Sequence, residues 1–181
     1  MKDFKNELQI SAILVWSQNL DLGISKQVFC DLISSRDGRV ILENNTRRTE
    51  VGQDGNIKVI DPQYVQMYFT NSDLVYPSTG WKGNCTQNLL MGAGAFERSL
   101  KVLFKETHGY EPEFQNFGKP NLQHFKFVEN KILSEQSTAI NTIYMIGDNL
   151  RSDILGANTI NANSEINWVS IAVKTGLFKT E

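Results

Sequence analysis

Apolar and polar positions along the chain fall into two alternating rhythms. Ser11 to Trp16 is a short continuous apolar run of the kind that forms a buried strand. Leu22 to Ser34 then places Ile24, Val28, Phe29, Leu32 and Ile33 at helical spacing, which predicts a helix. Gly38 through Pro62 is broken by Asn44-Asn45, Gly52, Asp54-Gly55 and Pro62, so it reads as a loose hairpin or extended insertion. Tyr64 to Thr70 has strand character and stops at Asn71-Ser72-Asp73. Tyr76 to Cys85, with Pro77, Gly80 and Gly83, reads as a loop.

The second half is more regular. Phe96 to Thr107 carries Phe96, Leu100, Leu103 and Phe104 on one side of a helix, and Gly109 stops it. Phe114 to Phe117 is a short strand. Gly118-Lys119-Pro120 follows and leads into a second helix with Pro120 at its first position and a stripe of Leu122, Phe125, Val128 and Ile132. Thr142 to Ile146 is an apolar strand, Gly147-Asp148-Asn149 a tight loop, and Leu150 to Ala157 a short helix. Asn158 to Asn167 is polar and reads as a loop, and Val169 to Val173 is one more buried strand. Strands alternating with helices predict an α/β fold with a largely parallel sheet. Ligands of such sheets gather at the carboxyl ends of strands, which singles out Lys119 and the loop at Asp148.

Composition adds mainly exclusions. With 40% hydrophobic and 21% charged residues in 181, the chain reads as one globular domain or a domain with a small companion. Net charge is −2 and the sequence pI about 5.7, with no clustered Lys and Arg for a nucleic-acid or anionic-membrane partner. Arg47-Arg48, flanked by polar residues, reads as a solvated loop. Cys30 and Cys85 lack metal-ligand spacing, and Cys30 falls in an apolar pattern that predicts burial. The N-terminus has no apolar core of a leader, and no apolar run approaches membrane-spanning length. An intracellular setting is the expectation.

Chemistry concentrates in Thr142-Ile143-Tyr144-Met145-Ile146-Gly147-Asp148-Asn149-Leu150-Arg151-Ser152-Asp153-Ile154. A strand delivers Asp148 to its carboxyl end, and Asp153 falls on the following helical turn, able to face the same cleft. Two carboxylates there suit a hard cation such as Mg²⁺. The spacing serves a turn at Asp148 and a helix cap at Asp153 equally well, and such structural uses are the more common. Lys119, fixed between Gly118 and Pro120 after a strand, can neutralise a phosphate, although a surface turn has the same sequence. Gly92-Ala93-Gly94-Ala95-Phe96 lacks the third glycine and the preceding strand of a nucleotide loop.

Taken in order, the strand, Gly118-Lys119-Pro120, helix, strand and Gly147-Asp148-Asn149 to Asp153-Ile154 resemble the second half of phosphatases of the haloacid dehalogenase (HAD) superfamily. Ala12 to Ser34, Tyr68 to Asp73 and Gly92 to Phe96 look like the members with a large α/β class II cap, those related to the cat-eye-syndrome critical-region hydrolase. The resemblance implies a Rossmann-like core, C-terminal half only, over 117–181, and a partial α/β cap over 1–116 with an insertion at about 38–64. It implies that Asp148 binds Mg²⁺, Asp153 supports the metal shell, and Lys119 holds the phosphoryl group. Asn149, Asn71, Asp73 and Tyr76 would then lie toward the substrate, although Asn71 and Asp73 also suit ordinary turn chemistry. The partner would be a small phosphorylated molecule, and the compartment mitochondrial or cytoplasmic.

One part of the family pattern is missing. Its nucleophile and general acid are the two aspartates of an Asp-x-Asp motif on the first core strand. Among Asp3, Asp21, Asp31, Asp37, Asp54, Asp61, Asp73, Asp148 and Asp153, no two are one residue apart. A carboxylate nucleophile divides phosphate transfer into two easier steps, so the expectation is a phosphatase remnant or partial subunit, inactive alone and weak in Mg²⁺. The absent strand would neighbour Thr142 to Ile146 and leave it with an open edge that an N-terminal complementing segment could fill. The alternative is a catalytically silent phosphate-ester-binding or interaction module. A receiver-like or flavodoxin-like domain fits the Lys119 context and the first half less well.

Overall fold

The strand expected at Ser11–Trp16 is β1, Ala12–Val15, which pairs in parallel with β4, Gln66–Phe69, in the register Ala12↔Gln66 to Val15↔Phe69. A computed structural model describes residues 8–16, 22–39, 45–77, 89–174 and 177. They divide into two compact units, one of residues 1–70 with 96–115 and the other of 71–95 with 116–181.

In the first unit β1, β4 and β7 (Phe114–Asn116) form a three-stranded sheet in the order β1-β4-β7. Alternation along the strands buries Ile13, Val15, Met67 and Phe69 and leaves Leu14 exposed, the two-residue period of a sheet with one covered face. Two helices contribute to that core. Helix α1, Leu22–Ser34, runs where the spacing predicts, and buries Cys30, Leu32 and Ile33; Ile24 and Val28 are exposed, so the buried stripe is narrower than the apolar one. Helix α2, Ala93–His108, begins three residues before the predicted start, ends before Gly109, and buries Phe96, Leu100 and Phe104 but not Leu103. Phe69 sits between Phe96 and Phe114, at centroid distances of 6.4 and 5.4 Å. Burial, with the Asp31 carboxylate beside it, pushes the Cys30 thiol up, away from reactivity.

The segment read as a hairpin is one. Strands β2 (Thr49–Val51) and β3 (Ile57–Val59) pair antiparallel around a turn in which Asp54 accepts from the Asn56 amide. Its base corrects one expectation. Arg47 is buried, its Nε and Nη2 donating to the Asp61 carbonyl at 3.0 and 2.9 Å, with the guanidinium 5.2 Å from the Tyr110 ring centroid. A guanidinium can leave water when carbonyl acceptors and an aromatic face replace it. Arg48 is the solvated one, and its Nη2 meets Asp61 Oδ1 at 2.7 Å. The hydrogen bonds from Arg48, with the Arg36 charge added, hold the Asp61 carboxyl well below the usual range.

The second unit opens on a hairpin that the sequence pattern assigned to a loop. Val75–Pro77 is β5 and pairs antiparallel with β6, Leu89–Met91; the rest of that predicted loop, 78–85, lies outside the described residues. Helix α3 is Leu122–Glu135 and starts just past Pro120, the predicted first position. Asn121 is its N-cap, accepting from the Gln123 amide at 2.9 Å, and Pro120 precedes it after a cis peptide bond. Strand β8, Thr142–Gly147, pairs in parallel with β9, Asn167–Ala172, through all six residues. Between them come a π-turn, Leu150–Ile154, and α4, Leu155–Asn161, so the predicted short helix is in two parts and runs into the predicted loop. Phe125, Ala157, Ile160 and Trp168 form the core on one face of β8 and β9. On the other side Tyr144 and Ile146 are each 61% exposed. Among the described residues no helix is long and apolar enough to cross a membrane.

Candidate functional site

Two loops of the second unit bring charged groups together. The first follows β7. Asn116 Oδ1 accepts from the Gly118 amide at 2.8 Å, and Asn121 Nδ2 donates to the Asn116 carbonyl at 2.6 Å, so the ends of Asn116–Asn121 are tied and Lys119 projects from a closed turn. The second loop follows β8. Asn149 begins the π-turn, its carbonyl accepting from the Asp153 amide at 2.9 Å and its Oδ1 from the Arg151 amide at 3.0 Å.

Lys119 Nζ meets Asp153 Oδ1 at 2.5 Å, with side-chain exposures of 36% and 6%. The other oxygen of Asp153 accepts from the Asn149 amide at 3.2 Å. Gly147 is needed here because a β-carbon at that position would run into the Asp153 side chain. An ammonium and an N–H thus replace the water that this buried carboxylate gives up. Asn149 Nδ2 donates in turn to Asp73 Oδ1 at 2.9 Å, and Asn71 Oδ1 accepts from the Asp73 amide at 2.8 Å.

Of the residues singled out from sequence, Lys119, Asp153, Asn149 and Asp73 therefore form one hydrogen-bonded chain, with Asn71 behind it. Asp148 stands beside Asn149, but its Oδ2 accepts from the Leu177 amide at 2.7 Å. Tyr76 is half-buried on β5 opposite Leu90, and no hydrogen bond among the described residues ties it to the others. Ser72 and Asn116 were not singled out, although Ser72 Oγ donates to Asn116 Oδ1 at 2.8 Å. The signal was an Asx residue two positions before Gly118, a pattern that shapes turns.

The electrostatics favour a cation before an anion. Asp73, Asp148 and Asp153 outnumber Lys119 and Arg151 on these segments, so a phosphate approaching alone meets more carboxylates than cations. Yet the donor set does not complete a Mg²⁺ shell. Asp153 has both oxygens engaged, Asp148 has one, and no group of three carboxylate, imidazole or thiolate side chains stands at metal-holding distance among the described residues. Among the described residues, Asp148 and Asp73 each have one carboxylate oxygen to offer.

Comparison with known proteins extends this geometry. Residues 116–181 match the family described as HAD-hydrolase-like. A cardiolipin synthase (CMP-forming)/mitochondrial hydrolase fusion protein of Schizosaccharomyces pombe is 29% identical over 183 residues, 98% of this chain and 26% of that protein. A mitochondrial hydrolase of Saccharomyces cerevisiae is 25% identical over 193 residues, 94% of this chain and 48% of that one. The chain thus spans half or less of the length of these relatives. Among solved structures, a possible sugar phosphatase of the HAD superfamily from Cytophaga hutchinsonii is 25% identical with a TM-score of 0.36, covering 52% of this chain and 29% of that one. A thermostable NPPase double mutant from Geobacillus stearothermophilus is 25% identical with a TM-score of 0.39, covering 65% and 38%.

Proposed function

We propose, taking the C-terminal part of this chain as HAD-hydrolase-like, that it carries the phosphate-holding portion of a Mg²⁺-dependent phosphate monoester hydrolase and does not turn over substrate alone. The observation that carries this reading is Lys119 held against the buried Asp153 in one hydrogen-bonded chain with Asn149 and Asp73. In this role Lys119 neutralises a phosphoryl oxygen, Asp148 offers one carboxylate to Mg²⁺, and Asp153 fixes Lys119. Asn149 and Tyr76 lie toward the substrate, a small phosphorylated molecule. The first unit serves as the cap, and the second as the C-terminal portion of the core.

Mg²⁺ would bind weakly here, since Asp148 and Asp73 each have a single carboxylate oxygen to spare among the described residues. The same 181 residues hold no Asp-x-Asp pair. Loss of a nucleophile costs about 10⁶ in rate in another hydrolase, roughly 8 kcal/mol of barrier. We assign the missing carboxylates to a further segment, entering as a strand along the side of β8 that pairs with no other strand among the described residues. The sequence of β8, Thr-Ile-Tyr-Met-Ile-Gly, has none of the lysines, prolines or inward charges that protect a true edge. Parallel strands are normally covered on both faces, which Tyr144 and Ile146 are not. The names of the relatives suggest a mitochondrial setting, with a cytoplasmic one the alternative.

Hydrolysis of an aryl phosphate with Mg²⁺ tests the proposal, for the chain alone and with an added segment carrying the Asp-x-Asp strand. Silence alone and activity on complementation, lost in Asp148→Asn, is the expected result. Full retention of that activity in Asp148→Asn would overturn the assignment. The second reading is a silent phosphate-ester-binding module, favoured by the full engagement of Asp153. It predicts phosphate-ester binding with no turnover under either condition.

A further inference from the structure

The segment Asn71–Asp73 touches both loops of the site. Ser72 Oγ donates to Asn116, the residue that closes the Lys119 turn, at 2.8 Å, and Asp73 Oδ1 accepts from Asn149 Nδ2 at 2.9 Å. Asp73 itself has little freedom. Asn71 Oδ1 takes its amide, its carbonyl takes the Gly94 amide at 3.0 Å, and the Leu74 carbonyl takes the Gly92 amide at 2.8 Å. At Gly94 a β-carbon would run into the Ser72 carbonyl, so the two backbones are in direct contact.

Asn149 is the pivot of the other loop. Its Oδ1 is occupied by the Arg151 amide, so its Nδ2 must find an acceptor elsewhere, and a carboxylate, which is acceptor-only when ionised, meets that need without ambiguity of direction. The same residue takes the Asp153 amide on its carbonyl and gives its own amide to Asp153 Oδ2. Fixing the Asn149 amide group therefore fixes the carboxylate that holds Lys119.

We infer that Asp73 is a positioning residue, acting through Asn149 on the loop 148–153 and so on the Lys119–Asp153 pair. Together with Ser72 it sets the two loops of the site against each other. The use made of the loop rests on the phosphatase reading; the mechanical link between Asp73 and Asn149 does not.

An exchange of the two side-chain types tests the inference on the intact chain. Asn149→Asp sets two carboxylates at hydrogen-bonding distance, where they cannot both ionise without repulsion. Amide hydrogen exchange over 148–153 should then accelerate about tenfold or more at neutral pH, the loss of one hydrogen bond to a charged group. Exchange in β9 should stay unchanged. Asp73→Asn combined with Asn149→Asp restores the bond with donor and acceptor interchanged, and should return exchange to the original rate. If Asn149→Asp alone prevents folding, Asp73→Ala replaces it, with the same local acceleration expected. Unchanged exchange in the single variants, or no recovery in the double exchange, overturns the inference. Failure of the phosphatase reading appears separately, as no hydrolysis on complementation with the exchange results intact.

Discussion

Unit 1 and unit 2 use similar strands and helices to different ends. Among the described residues, unit 1 buries twelve side chains in one cluster, with Phe69 and Phe96 near its centre, whereas unit 2 buries four around Phe125 and Trp168. Unit 1 spends its polar groups on structure, as at Arg47 and Asp61. Unit 2 instead sets buried polar groups, Asp153 foremost, on loops at strand ends, and leaves Tyr144 and Ile146 of β8 in the open. The larger core resists change, while the smaller one holds charged groups whose positions depend on a few hydrogen bonds.

The comparison can be broken first at the cores. Phe69→Ala should cost about 3–5 kcal/mol, the usual range for a buried aromatic, read from the midpoint and slope of urea unfolding. A much smaller cost would mean that the unit 1 cluster is not close-packed. In unit 2 the sharper probe is overpacking. Gly156→Ala drives a β-carbon into the Phe125 ring and should cost about 1–3 kcal/mol.

Next comes the charged pair. Lys119→Ala leaves Asp153, with its side chain 6% exposed, short of its ammonium. A buried donor or acceptor left unsatisfied costs about 1–3 kcal/mol, and a charged one more. Lys119 is itself one-third exposed, and water can partly replace it, so the low end applies. The matching unit 1 effect is smaller and shows in pH. The Asp61 carboxyl is depressed in the folded state, so its contribution is present above the unfolded carboxylate value, about 3.9, and is lost as pH falls below it. Asp61→Asn should remove that part of the acid sensitivity, seen as a flatter fall of stability below about pH 4. An unchanged acid profile would show that Arg48 and Arg36 bring it no stability.

Where period and packing agree, the elements were legible. The apolar run of β1, the strand character of β4, the apolar spacing of α1 and α2, and the strands β8 and β9 all follow from residue order alone. Other features were set by contacts distant in sequence. The strand β5 exists because Leu89–Met91 returns to pair with it, which a Pro77-containing stretch does not announce. Arg47 is buried because Asp61 and Tyr110 come to it. The site shows the same division. Lys119 and Asp153 were readable from Gly-Lys-Pro and from the strand-end aspartates, while the link from Asp73 to Asn149 joins residues 76 positions apart and has no local signature.

The central claim is that unit 2, not unit 1, holds phosphate, and that it does so with Lys119 and Asp148. Titrating Mg²⁺ and inorganic phosphate together into the isotopically labelled chain, and following backbone amide resonances, tests this directly. The account predicts shifts confined to residues 116–121 and 147–153, abolished in Lys119→Ala and weakened in Asp148→Asn. Shifts centred on 45–70 or 96–115, or shifts that survive both substitutions, would contradict it.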